Sequence, residues 1–105
     1  MTIGQAIKEI RKRKRLSQAA LAERAGITQT ALSQIENGKR PGEKTFERLS
    51  EALGVAMPLI HLMTYEQKDV PASKQILYEK LFPVIKGLIF EIAGDDIEPK
   101  GKKSS

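Results

Sequence analysis

The chain has no cysteine, no tryptophan, a single histidine and only 5% aromatic residues. Without cysteine there is no disulfide framework, no thiolate metal site and no cysteine nucleophile. One imidazole, His61, cannot build a histidine-based metal centre, so neither a metal nor a cofactor is expected; His61 reads as a semi-exposed structural residue. There is no Ser/His/Asp set, no glycine-rich phosphate loop and no pair of carboxylates set among apolar residues, which argues against an enzyme. No uncharged apolar run reaches the roughly 18 residues that a membrane-crossing helix needs. The N-terminus turns basic only after residue 7 and has no apolar run behind it. A secretory signal is therefore not expected, and a cytoplasmic, nucleoid-associated location is. At 105 residues the chain is also too short for a barrel enzyme or an ordinary dinucleotide-binding enzyme.

What is present is charge, unevenly spread. Residues 1–48 hold 11 Lys and Arg against 5 Asp and Glu, a net +6, whereas residues 49–99 hold 4 against 8, a net −4. The last six residues add three Lys and bring the total to +5. An excess confined to the first half suggests either a polyanionic partner for that half or a solvated basic face. Asp95, Asp96 and Glu98 form an acidic cluster near the end, which in a tail is ordinarily just solvated.

The apolar residues recur with helical spacing, and no strand pattern stands out. Ile3, Ala6, Ile7 and Ile10 mark one face of a first helix, opened by a Thr2/Gln5 capping box and closed by the basic run Arg11–Arg15. Ser17 caps a second helix that runs to Ala25 and stops at Gly26. Thr28 caps a third, from Gln29 to Glu36, with Ile27 and Leu32 placed to form a hydrophobic staple. Leu32 and Ile35 face inward, which turns Gln29, Thr30, Ser33 and Gln34 outward. Lys39-Arg40-Pro41-Gly42 is a loop by composition. Phe46, Leu49 and Leu53 mark a fourth helix ending at Gly54. A fifth covers Met57–Met63, with Pro58 in its first turn, where proline is tolerated.

Two short helices joined through Ala25-Gly26-Ile27-Thr28 have the spacing of a helix-turn-helix. The tight turn needs a glycine, close approach of the helices favours the small Ala22, and buried aliphatics lock the crossing. Short polar side chains at the start of the second helix of such a pair lie within reach of base edges. The string Ser17-Gln18-Ala19-Ala20-Leu21-Ala22, then Ala25-Gly26-Ile27-Thr28, then Leu32-Ser33-Gln34-Ile35-Glu36-Asn37-Gly38-Lys39-Arg40-Pro41 resembles the Cro and phage-repressor type of helix-turn-helix protein, the XRE family. The resemblance covers roughly residues 3–63.

The resemblance implies an all-α, five-helix lambda-repressor-like domain that binds double-stranded DNA with its third helix in the major groove. Gln29, Thr30, Ser33 and Gln34 then fall at base-contacting positions; a glutamine can bond adenine at N6 and N7 together. Gln18, Thr28, Asn37, Lys39, Arg40, Lys44 and Thr45 fall at phosphate-contacting positions. Arg11 matches the partner of a charge bridge to Glu36 and is also expected to approach phosphate. Of the run Arg11–Arg15, two or three residues are expected to approach phosphate and the others to face water. Two departures stand out. Ala20 occupies the place of a capping glutamate, and Ala56 that of a Ser or Thr cap, which weakens the start of the fifth helix.

The remainder matches no family pattern. Residues 1–64 form the DNA-binding domain, 65–72 a linker, 73–94 a helical oligomerisation segment opened by Ser73, and 95–105 a disordered tail. Twelve of the eighteen residues from Ile76 to Ala93 are apolar, too many for a helix with one solvated face. Pro83 and Gly87 predict a kink or two short helices. Leu77, Leu81, Val84, Ile85, Leu88 and Ile92 form one stripe, with Tyr78, Phe82, Ile89 and Phe90 beyond it. The segment can fold back on its own domain, pair with a second copy, or hold another protein such as a toxin or an antirepressor. Pairing as a homodimer is preferred, because helix-turn-helix dimers read two half-sites. A dimeric repressor reading an inverted repeat is the leading expectation. An autoregulating antitoxin that binds its toxin through this segment is the alternative, and a protein-interaction domain that has lost DNA binding is a third reading, opposed by the basic loop and the polar outer face.

Overall fold

A computed structural model describes residues 1–95; the acidic cluster beyond Asp95 and the expected tail lie outside them. Among the described residues every regular element is helical. The helices are α1 (Ile3–Arg13), α2 (Gln18–Ala25), α3 (Gln29–Glu36), α4 (Glu43–Leu53), α5 (Met57–Met63) and α6 (Gln75–Asp95), with single 3-10 turns at Gln67–Asp69 and Ala72–Lys74.

The limits of the first five helices follow from local chemistry. Thr2 Oγ1 accepts the Gln5 N–H at 3.1 Å while Gln5 Oε1 accepts the Thr2 N–H at 2.8 Å, a reciprocal capping box. The Ser17 and Thr28 hydroxyls accept from the Ala20 and Ala31 N–H groups, each at 3.0 Å. Gly26, at φ 72°, ends α2 in the left-handed conformation, and Ile27 N–H reaches back to Ala22 O at 3.0 Å. α1 ends in the same bonding pattern, with Arg15 N–H on Lys12 O and Leu16 N–H on Arg11 O. There the left-handed residue is Arg15, at φ 60°, where an L side chain costs about 1–2 kcal/mol. α5 forms with no side-chain cap at Ala56.

The core is a single cluster. Ile7 and Ile10 of α1, Leu21 of α2, Leu32 of α3, Leu49 and Leu53 of α4, and Ile60 of α5 are fully buried. The small Ala22 and Ala25 let α2 lie close to α3 and α4. α1 and α3 also approach closely. A Cβ added to Gly4 would stand 1.8 Å from the Ile35 carbonyl oxygen. This contact holds the C-terminal end of α3 against α1, and only glycine permits it.

The C-terminal segment differs from the sequence expectation in three ways. First, α6 is one helix running through Pro83, not two short ones. Proline there removes only one backbone donor, and the residues that follow it, Ile85, Ile89, Phe90 and Ala93, pack on the core cluster. Second, α6 starts at Gln75, after a 3-10 turn that contains Ser73, so Ser73 is not its cap. Third, the segment folds back as well as leaving a free stripe. Ile89 and Ala93 are buried in the core cluster, and Ile85 and Phe90 pack against it. Ile85, expected on the pairing stripe, therefore turns toward the domain. Residues 65–72 are tied to the start of α6: Gln75 Nε2 donates to Gln67 O and Val70 O, and the Tyr78 hydroxyl to Tyr65 O.

Gly4→Ala is expected to destabilise the protein by about 1–3 kcal/mol, because the methyl group meets rigid backbone and not a yielding side chain. Urea unfolding measures this; an unchanged midpoint would mean that the α1–α3 approach relaxes freely.

Candidate nucleic-acid interface

Every residue expected at a base edge is on α3. Gln29, Thr30 and Gln34 are exposed and Ser33 is half-buried, while Leu32 and Ile35 on the opposite side are buried. An eight-residue helix is thus split into an aliphatic edge fixed in the core and a carboxamide and hydroxyl edge in solvent. The side chains on the outer edge are uncharged and carry both donors and acceptors, the complement that base edges in a major groove require.

The flanking residues lie at the ends of α3 and at the starts of its neighbours. Thr28 is exposed; its hydroxyl oxygen accepts the Ala31 N–H, which leaves its proton to donate outward. Asn37 closes α3 and is exposed. Lys39 and Arg40 are exposed on the loop that follows, and the Lys39 N–H bonds Gln34 O at 2.9 Å, so the basic loop is pinned to the end of α3. Lys44, exposed, and Thr45, half-buried, stand in the first turn of α4. Gln18 opens α2, where unpaired backbone N–H groups favour an anion.

Beneath this surface lies a buried charged network. Arg11 Nε donates to Glu36 Oε2 at 2.7 Å and Nη2 to Glu36 Oε1 at 3.0 Å, a forked pair between α1 and the last residue of α3. Arg11 Nη1 donates to Leu16 O at 2.8 Å, and Gln18 Nε2 donates to Glu36 Oε1 at 2.9 Å. Arg11 is 8% exposed and Glu36 4%. A buried ion pair is tolerable when its remaining hydrogen-bonding capacity is met, and no buried side-chain polar atom among the described residues lacks a partner. The same network orients the Gln18 carboxamide.

The expectation for the basic run is corrected here. Arg11 is turned inward: its guanidinium is enclosed, with all three nitrogens bonded within the protein. Lys14 neither faces water nor a ligand. It is 2% exposed, and its Nζ donates to Ala93 O at 2.6 Å, at the far end of α6. Arg13 is exposed and lies 4.4 Å from the centre of the Phe90 ring, a cation–π contact with the same helix. Only Lys12 and Arg15 of the run are exposed with no contact to α6 described. Reading the sequence missed both the Gly4 approach and the anchoring of α6 by Lys14. The first left a trace, a glycine inside an amphipathic helical pattern; a lysine inside a run of five cations leaves none. His61 is exposed and meets the Phe46 ring edge-on at 5.2 Å, as a structural residue would.

Comparison with known proteins agrees with this geometry. A family model described as helix-turn-helix matches residues 7–60. The immunity repressor protein of Bacillus phage phi105 is 41% identical over 61 residues, covering 57% of this chain and 42% of that protein. The HTH-type transcriptional regulator SinR of Bacillus licheniformis is 34% identical over 76 residues, covering 70% of this chain and 66% of its own length. The ImmF control region 10 kDa protein of the same phage is 34% identical over 61 residues, covering 57% of this chain and 68% of that protein. The chain thus spans less than half of the first of these relatives. No solved structure matches.

Glu36→Ala is expected to strand the Arg11 guanidinium and cost about 3–5 kcal/mol, more than Arg11→Met combined with Glu36→Leu. Chemical denaturation of the three proteins tests this ordering. If the single variant loses less than the double, the network is not what holds α3.

Proposed function

The chain belongs to the helix-turn-helix family, of the XRE type that its motif resembles, and on that premise we propose that it is a sequence-specific double-stranded DNA-binding regulator of transcription, most simply a repressor. The observation that carries this reading is the division of α3 into a buried aliphatic edge and an exposed polar edge, with the basic loop pinned to its end. α3 is the recognition helix. Gln29, Thr30, Ser33 and Gln34 read bases, with each well-placed bidentate contact worth about 1–3 kcal/mol of discrimination. Gln18, Thr28, Asn37, Lys39, Arg40, Lys44 and Thr45 hold phosphates and set the register without reading sequence. The name of one phage relative, an immunity repressor protein, points the same way.

Symmetry follows from size. A helix of eight residues is about 12 Å long. It spans roughly three or four base pairs at about 3.4 Å each. That is too short a site to be singled out in a genome, so two copies act together on an inverted repeat with half-sites about one helical turn apart.

Selection from a random duplex pool is expected to enrich a two-fold symmetric sequence. Gln29→Ala should lower affinity for that sequence by about 1–3 kcal/mol and leave binding to unrelated DNA unchanged. Lys39→Ala and Arg40→Ala should weaken binding to all DNA and each reduce the salt dependence by about one phosphate contact. A pool that enriches nothing, or a Gln29→Ala protein with full specific affinity, overturns the assignment of α3.

A further inference from the structure

α6 has two apolar faces, and only one is covered. Ile89 and Ala93 are buried, with Ile85 and Phe90 beside them. Leu77, Leu81, Val84, Leu88 and Ile92 are between 48% and 59% exposed. Their spacings of four, three, four and four residues place them on one stripe of the helix. From Leu77 to Ile92 the stripe is about 22 Å long at the α-helical rise.

We propose that this stripe seats the same stripe of a second copy, with the two α6 helices antiparallel about a two-fold axis near Val84. The proposal rests on the dimeric reading above and names the surface that makes the dimer.

Three observations select a second copy in this orientation. The first is the spacing itself. Turned end for end about residues 84–85, the stripe falls on its own image: Leu77 meets Ile92, Leu81 meets Leu88, and Val84 meets the axis. The second is charge. In antiparallel helices related by a two-fold axis, each flank of the stripe faces the same flank of the partner. Lys80 and Glu91 lie on one flank and are both exposed. The antiparallel register brings each Lys80 within about half a turn of the partner's Glu91, a distance that these long side chains span. A parallel pair would turn this flank away from its counterpart and lose both contacts. The third is shape. On the other flank, an apolar groove of about 260 Å³ runs beside the stripe, walled by Leu77 and Leu81 with Leu62, Tyr65, Tyr78 and Phe82. In the antiparallel register the second copy's Ile92 and Leu88 lie over this groove, so each copy both offers the apolar side chains and provides their seat.

The absence of cysteine makes the test direct, because engineered thiols are the only thiols in the chain. Leu77→Cys, Val84→Cys and Ile92→Cys are made singly in the full chain and oxidised at the dimer's working concentration. The expected result is a disulfide-linked dimer from Val84→Cys alone, little from Leu77→Cys or Ile92→Cys alone, and a linked dimer when those two proteins are mixed. A linked homodimer from Leu77→Cys alone means parallel pairing and overturns the proposal.

Sedimentation supplies an independent readout. Lys80→Glu and Glu91→Lys should each raise the dimer dissociation constant at least severalfold, and the two together should restore it. Leu81→Glu with Leu88→Glu should give a folded monomer, since both positions are exposed. A wild-type chain that is monomeric at every concentration, or that sheds its self-association for a heterologous helix held on the same stripe, also overturns it. Failure of the DNA reading is distinct: there the chain dimerises and cross-links as expected but selects no duplex.

Discussion

The forked Arg11–Glu36 pair is the constraint on which the DNA-facing surface depends. It joins α1 to the last turn of α3, and through Leu16 O and the Gln18 carboxamide it reaches the start of α2. Three helices therefore share one buried carboxylate. Hydrophobic burial alone would let α3 roll or slide by a fraction of a turn at small cost, because apolar contact has no direction. A bidentate Arg–Glu contact has both direction and register. The Gly4 approach to Ile35 O adds a second fixed point at the same end of α3. With its C-terminal end held twice and its N-terminal end set by the Thr28 cap and the Gly26 turn, α3 has little freedom left, and its outer edge is preorganised.

The helices of residues 1–64 were legible because their limits are written locally. Thr2, Ser17 and Thr28 each close an N–H within three residues, and Gly26 and Gly54 stop helices by adopting a positive φ. The polar edge of α3 was legible for a related reason, since burying Leu32 and Ile35 in an eight-residue helix leaves few directions for the other side chains. The misreadings share the opposite property. Lys14 stands in a run of five cations that looks uniform, yet it is drawn inward by a distant carbonyl, that of Ala93 at the far end of α6. Nothing within a turn of Lys14 announces this, whereas the bridge from Arg11 to Glu36 was legible through the family resemblance. The continuity of α6 through Pro83 was equally hidden, because the local cost of an internal proline is visible in sequence and the tertiary packing that offsets it is not.

Arg15 shows the same tension on a smaller scale. α2 and α4 end with a glycine in the left-handed conformation, while α1 ends with an arginine there. The local preference is for glycine. The chain keeps an exposed cation at that position and accepts the backbone strain. Strain of this kind concentrates at functional surfaces, and the end of α1 is joined to that surface through Arg11 and Leu16.

The anchoring of α6 bears on how such a protein would measure DNA. A dimerising helix on a flexible tether leaves the distance between two recognition helices loose, and half-sites at several spacings would then bind alike. α6 has no such freedom. Ile89 and Ala93 are buried against the domain, Lys14 holds the carbonyl of Ala93, Arg13 covers Phe90, and hydrogen bonds from Gln75 and Tyr78 tie its first turns to residues 65–70. Whatever docks on the outer stripe of α6 is thereby fixed relative to α1, and through the Arg11–Glu36 pair relative to α3. Two cations of the basic run, Arg13 and Lys14, serve this linkage. Charge that would have added uniform, sequence-independent affinity is used to set geometry, and geometry is what lets two short helices act as one longer reader.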